Sequence, residues 1–178
     1  MPHLKSKLFT VFCYHTYMTN SFSFNYFGSV ITAMPMGVGA IPADNLVITS
    51  ACVPLTDNNK LIAVNIIGRG VDIPGGHIDP GETSIEAMHR ESYEEAFIKV
   101  GNPVLIDVLK VTSPDKKLGL DNKPYMLIYA ARVLEVRDFV INDEVSERLV
   151  LSQEEFVSSY FADHDYAHRM VSSAIQAL

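Results

Sequence analysis

Tryptophan is missing from this 178-residue chain, and cysteine occurs only at Cys13 and Cys52. Two thiols form no dense disulfide framework, which excludes a small domain stapled by disulfides and fits reduced cysteines in a cytoplasm. Basic residues are also few, with 14 Lys and Arg against 21 Asp and Glu and a formal net charge of −7. A surface for a nucleic-acid polymer needs a basic stripe to neutralise phosphates, so that class is set aside. A small phosphorylated ligand stays compatible, because a metal ion and a few local cations can reverse the field inside one cleft. Charge is absent altogether from Leu8 to Ala43, yet Thr, Ser, Asn, His and Tyr interrupt the segment every few residues. No run of about 18 apolar residues results. The apolar piece after Lys5 and Lys7 is broken by Thr10 and His15, so neither a membrane span nor a signal peptide is expected.

What the chain does contain is ordinary for a globular protein, with 48% hydrophobic and 20% charged residues. Its length predicts one domain over residues 1–178. Phe9, Val11 and Cys13 alternate with other residues, as do Phe22, Phe24 and Tyr26, which is strand periodicity. Thr19-Asn20-Ser21 between them reads as a turn. Residues 1–43 are therefore expected to form an N-terminal β-hairpin extension on a core of residues 44–178. The extension reads as sheet cover, as a homodimer contact, or as one wall of a substrate pocket. Strands are expected over Leu46–Val53 and Leu61–Ile67, joined by a turn at Thr56–Lys60, and again near Val104–Val111 and Tyr125–Val136. Thr83 with Glu86, and Ser152 with Glu155, make capping boxes that open helices. Ile85, Ala87 and Met88 are available for the buried side of the first. A last helix is expected over Tyr166–Leu178. Strands, a helix, more strands and then helices suggest an α/β fold with a mixed sheet between helical layers.

The informative stretch runs from Gly76 to Ile98. An α-helix advances about 100° per residue, so Glu91, Glu94 and Glu95 fall on one face with Arg90 beside Glu94. Like charges on adjacent turns repel and raise one another's pKa values; a bound cation removes the conflict. These residues resemble the Nudix box, Gly-x5-Glu-x7-Arg-Glu-U-x-Glu-Glu-x-Gly-U with U bulky and apolar, matching six of its seven invariant positions. With residue types each used at about 5–7%, chance agreement has odds on the order of 10⁻⁷ per window. Val71-Asp-Ile-Pro-Gly-Gly76 is similar to the family's lead-in. The resemblance implies a Nudix-like α/β/α sandwich and hydrolysis of a diphosphate bond in a nucleoside diphosphate linked to another moiety. Two other readings on the same scaffold are a noncatalytic ligand-binding or regulatory module, marked by loss of the glutamates, and an isomerase of isoprenoid diphosphates. The glutamates are present, and the strict box argues against the isomerase.

The resemblance implies that Glu91, Glu94 and Glu95 hold metal with the Gly75 carbonyl, and that Glu82 supports them. A glutamate cluster suits Mg²⁺ or Mn²⁺ and not zinc, which favours His and Cys. Arg90 cannot ligate a cation, so it is expected to orient Glu82 or a neighbouring glutamate. Water activation falls first to Glu91, with Asp143, Glu144 and Glu147 as loop candidates. Arg69, Gly76, Lys116 and Glu144 are candidate contacts to a small, nucleotide-derived phosphorylated substrate. His77, and the pair His164 and His168, read as incidental. Two positions depart from the pattern, Ser92 for an aliphatic residue and Phe97 for glycine. Phe adopts a left-handed turn only at a cost, so the helix is expected to continue through Val100, with Phe97 helical and Gly101 in the left-handed position.

Overall fold

The computed structural model describes residues 20–39 and 41–178. Ten strands form one curled sheet: β1 (Phe22–Tyr26), β2 (Ser29–Pro35), β3 (Val47–Leu55), β4 (Leu61–Ile66), β5 (Gly70–Asp72), β6 (Gly75–His77), β7 (Ile98–Val100), β8 (Val104–Thr112), β9 (Tyr125–Val136) and β10 (Val145–Leu151). The main path runs β1-β2-β8-β9-β3-β4-β10, and β5, β6 and β7 branch from β4, β3 and β9. Among the strands of the described residues only β3 and β9 pair in parallel, so the sheet is mixed. Helix α1 (Ser84–Ala96) covers one face, while α2 (Gln153–Ser159) and α3 (His164–Ala177) cover the other. The central strands are buried on both sides, and alternate residues serve different layers. Val47, Cys52, Ile62 and Val64 join Met88 and Ala96 of α1. Val53, Leu55 and Ala63 join Phe156, Tyr166 and Met170 of the other two helices. This is the expected α/β/α sandwich.

Both capping boxes form, Thr83 with Glu86 and Ser152 with Glu155. Ala87 and Met88 are buried as expected, but Ile85 is 45% exposed, because it points away from the sheet at the first turn of α1. Ser92 is fully buried, and its hydroxyl donates to the Met88 carbonyl at 2.7 Å, so the polar group beneath the glutamates is satisfied. No helix among the described residues is long and apolar enough to cross a membrane. Cys52 is a buried free thiol, pushed up to about 12 by desolvation; Cys13 lies outside the described residues.

The described part of the N-terminal extension forms a hairpin of its own. The strand placed at Phe9–Cys13 lies outside the described residues, and the strand Phe22–Tyr26 turns at Phe27-Gly28 to pair with Ser29–Pro35. Both turn residues have positive φ, 46° and 90°, the geometry that matches the twist of paired strands. The Asn25 side chain accepts from the Gly28 N–H at 2.8 Å. A phenylalanine at the first turn position hides the usual Asn-Gly signal.

The end of α1 corrects the sequence expectation. The helix stops at Ala96, Phe97 is left-handed with φ 53° and ψ 43°, and Gly101 has no positive φ. Tertiary packing overrides the local preference here. Ile98, fully buried, pairs with Val136 in β7, and a longer helix would withdraw it from the core. The freed Ala96 carbonyl accepts from Arg148 at 3.0 Å. A left-handed conformation costs a non-glycine residue about 1–2 kcal/mol. The Phe97 ring meets Phe139 edge-on at 5.7 Å, a contact of the kind that contributes about 0.5–1.5 kcal/mol. The strain and the contact are therefore comparable. Since Gly and Ala both delete the ring, the difference between them isolates the backbone: Phe97→Gly should be more stable than Phe97→Ala by about 1 kcal/mol. Urea denaturation measures this. A helical Phe97 would give the opposite order, with glycine worse by about 1 kcal/mol.

Candidate active site

Strand β6 brings the Gly75-Gly76 backbone between β3 and α1. Glycine is required at Gly75, because a Cβ there would overlap Ala51 and the Ser50 carbonyl, and at Gly76 a Cβ would displace the Glu91 carboxylate from its place. The Gly75 N–H donates to Glu95 Oε2 at 2.8 Å, tying the strand to the last turn of the helix. Arg90 organises the remaining acids. Its Nε and Nη2 donate to the two oxygens of Glu82, both at 3.0 Å, while Nη1 donates to Glu91 at 2.7 Å and to Glu94 at 3.1 Å. Nη2 also reaches the His77 carbonyl at 2.9 Å. One guanidinium thus joins the loop acid, two helix acids and the backbone of β6.

The acids sit in different environments. Burial pushes the Glu95 carboxyl up to about 8, against the lowering effect of the Gly75 N–H. Burial also raises Glu91, opposed by the bond from Arg90 and assisted by the charges of Glu94 and Glu144. Glu82 is lowered, chiefly by its bond from Arg90. Glu94 is 57% exposed at its side chain. The single shared face expected from helical spacing is therefore divided: Glu91 and Glu95 are buried, and Glu94 stands at the rim. Among the described residues no three carboxylates converge on one point, since Arg90 lies between Glu91 and Glu94 on one side and Glu82 on the other.

A polar cleft of about 300 Å³ opens at this site, lined by Gly75, Gly76, Glu91, Glu95, Asp143 and Glu144, among others. Its donors are hard oxygens, and two of its acids are carboxyls whose ionised form burial disfavours. That set fits a hard divalent cation, for which Glu91, Glu95 and the backbone of Gly75 line the cleft and Glu94 stands at its rim. Glu144 faces the cleft on a loop tied to β4 by the bond from the Ile67 N–H to its carbonyl, 2.8 Å. Glu147 does not face it; it is exposed on edge strand β10. Lys116 lines neither this cleft nor the cavity beside it, and pairs with Asp121 at 2.8 Å. Arg69 lines both, with Asp72 at 3.0 Å as its ion-pair partner. His77 lines both as well, whereas His164 and His168 join no metal-binding group among the described residues.

One participant was not read from the sequence. Asp72 is buried and pushed up to about 6 by desolvation against the pull of Arg69. Its signal was the spacing of three residues from Arg69. Tyr26 and Phe27 line the cleft from the N-terminal extension, for which a pocket wall was one of the expected roles.

A family model described as NUDIX domain matches residues 47–171. Among solved structures, the chain is similar to a pyrophosphohydrolase from Bacillus subtilis, with 18% identity over 74% of this chain and 77% of that one and a TM-score of 0.57. It is similar to a NUDIX hydrolase from Nitrosomonas europaea, 22% identical over 74% of this chain and 89% of that one, also at 0.57. An ADP-ribose pyrophosphatase from Streptococcus suis matches with 15% identity over 72% and 89%, at 0.54. At these identities the likeness concerns the fold.

Glu95 provides a test of the site's electrostatics in chelator. Its ordinary value is 4.5, and the folded chain raises it to about 8. Between those values the folded state holds a proton that the unfolded state has released, so stability falls as pH rises through the window. Melting temperature in EDTA should therefore drop from about pH 5 to about pH 8. Glu95→Gln, which can still accept from the Gly75 N–H, should flatten that slope and be the more stable protein at the upper end. Parallel profiles for the two proteins would contradict the assignment.

Proposed function

The chain belongs to the NUDIX family, and from that premise we propose that it hydrolyses the diphosphate bond of a nucleoside diphosphate linked to another moiety, with Mg²⁺ or Mn²⁺ as cofactor. The observation that carries the reading is the cleft in which Glu91, Glu95, Gly75 and Gly76 meet beside the Arg90 clamp. Solved relatives named as a pyrophosphohydrolase and an ADP-ribose pyrophosphatase support the class of bond. A divalent ion bound here would neutralise charge on the non-bridging oxygens and acidify a water.

The remaining work falls to the chain's own residues. Arg90 fixes Glu82 through two parallel bonds, a geometry that sets orientation as well as energy. The same guanidinium holds the rotamers of Glu91 and Glu94. Glu91 is the acid that takes the proton from the attacking water. Burial raises its pKa towards neutrality, where a carboxylate is a better base. Glu144 is the alternative base, from the loop on the opposite side of the cleft. The glycine backbone of β6 lets phosphate oxygens come close where any side chain would intrude.

The test is a panel of nucleoside diphosphate derivatives assayed with and without Mg²⁺. Glu94→Gln and Glu95→Gln should each remove most activity while circular dichroism stays unchanged. Glu91→Gln should lose on the order of 10²–10⁴-fold. Millimolar Mg²⁺ or Mn²⁺ should raise the melting temperature by mass action, and Glu94→Gln should blunt the rise. Near wild-type turnover in all three variants would overturn the site.

A further inference from the structure

Beside the acidic cleft lies a second cavity of about 100 Å³, and one of its walls, from Phe22, Phe24, Tyr26 and Ile31, comes from outside the matched residues 47–171. Phe22, Phe24 and Tyr26 project from β1 toward the helical layer. Phe22 stacks on Tyr166 with centroids 4.8 Å apart, and Phe24 meets Phe161 edge-on at 5.4 Å. Aliphatic residues of the sheet, among them Ile48, Leu109 and Ile128, complete the lining. Tyr26, Arg69, Gly75, Gly76 and His77 line this cavity and the acidic cleft alike, so the two are compartments of one site.

Arg69 stands at their junction. Its guanidinium lies 5.6 Å from the Tyr26 ring and 5.2 Å from the Phe161 ring, and is paired with Asp72. Its Nε is buried without a hydrogen-bond partner. A buried donor left unmet is costly, and a ligand oxygen at the junction would satisfy it. In size the second cavity compares with the ~150 Å³ one that takes up benzene, so it suits a single planar ring. Its aromatic walls favour such a ring by stacking.

We infer, resting on the hydrolase reading above, that the hairpin β1–β2 is a substrate-selecting element. The cavity takes the nucleobase ring of the substrate against Phe22, Phe24 and Tyr26. Arg69 donates from Nε to an oxygen of the adjoining phosphate, whose diphosphate bond lies in the acidic cleft.

Calorimetry on the full chain with Mg²⁺, comparing nucleoside monophosphates with ribose 5-phosphate, tests this without turnover, so it stands apart from the activity assay. Base stacking of about 1–3 kcal/mol corresponds to roughly 5- to 150-fold in affinity. At least one nucleoside monophosphate should bind tighter than ribose 5-phosphate by a factor in that range. Phe24→Ala should abolish the difference and leave ribose 5-phosphate binding unchanged. Phe24→Leu keeps apolar volume without a ring; it should also lose the preference, and it serves should the alanine variant not fold. Nuclear Overhauser contacts should link base protons to the rings of Phe22 and Phe24. Equal affinity for the two ligand types, or an unchanged preference in the folded variants, would overturn the inference. Hexyl phosphate binding more tightly than every nucleotide would overturn the ring in favour of an aliphatic chain.

Discussion

The site depends on one guanidinium. Arg90 donates hydrogen bonds to three glutamates and to the His77 carbonyl, so the loop before α1, the helix and strand β6 are fixed to one planar group. Without it, acids on successive turns would repel, and Glu82 would keep only the bond from the Asp79 N–H to hold it across the loop. A lysine could supply the charge but not the geometry, because a point charge cannot hold two oxygens of Glu82 and two other carboxylates in a fixed fork. Its surroundings are partly desolvated, which makes these bonds stronger than their surface counterparts. The clamp leaves Glu91 and Glu95 directed into the cleft, where burial resists ionisation of both.

Close backbone approach is the second constraint. Glycine at positions 75 and 76 lets β6 pass between Ala51 and the Glu91 carboxylate, and the bond from Gly75 to Glu95 makes that passage part of the site. At the far end of α1, the left-handed Phe97 performs the turn that sends the chain into β7. The chain tolerates the strain because Ile98 must reach the core and because Phe139 packs on the ring. Helix length, and so the placement of Glu94 and Glu95 on its last turn, is set by that packing and not by a local stop signal.

This division explains what was legible in the sequence. The capping residue Thr83, the apolar, β-branched runs of β3, β4, β8 and β9 and the spacing of Glu82, Arg90, Glu91, Glu94 and Glu95 are local patterns, and the structure contains those elements. The end of α1 was misread because local preference said Phe97 could not turn, whereas the partner strand decided it. Strand β10 and the short strands β5, β6 and β7 depend on distant partners, whereas the turn between β1 and β2 is local and was hidden by Phe27 at its first position. A three-residue strand such as Gly75–His77 has no period to detect. Among site residues, the box acids and Arg90 were visible because their chemistry is carried by sequence spacing. Asp72 and Tyr26 join the site only when the sheet curls to bring β5 and the hairpin against β6. Lys116, attractive as a phosphate contact by charge alone, is committed to Asp121 in the structure.

The central claim is that the acids gathered by Arg90 direct water to a phosphorus atom of a diphosphate bond. Hydrolysis in ¹⁸O-labelled water, with a substrate the protein turns over in Mg²⁺ and the products read by phosphorus NMR, examines it most directly. The account predicts that the diphosphate signal is lost and that one phosphate-bearing product carries the label on phosphorus, with no labelling in Glu91→Gln over the same interval. Label appearing at carbon, or label on phosphorus at an undiminished rate in Glu91→Gln, Glu94→Gln and Glu95→Gln alike, would contradict it.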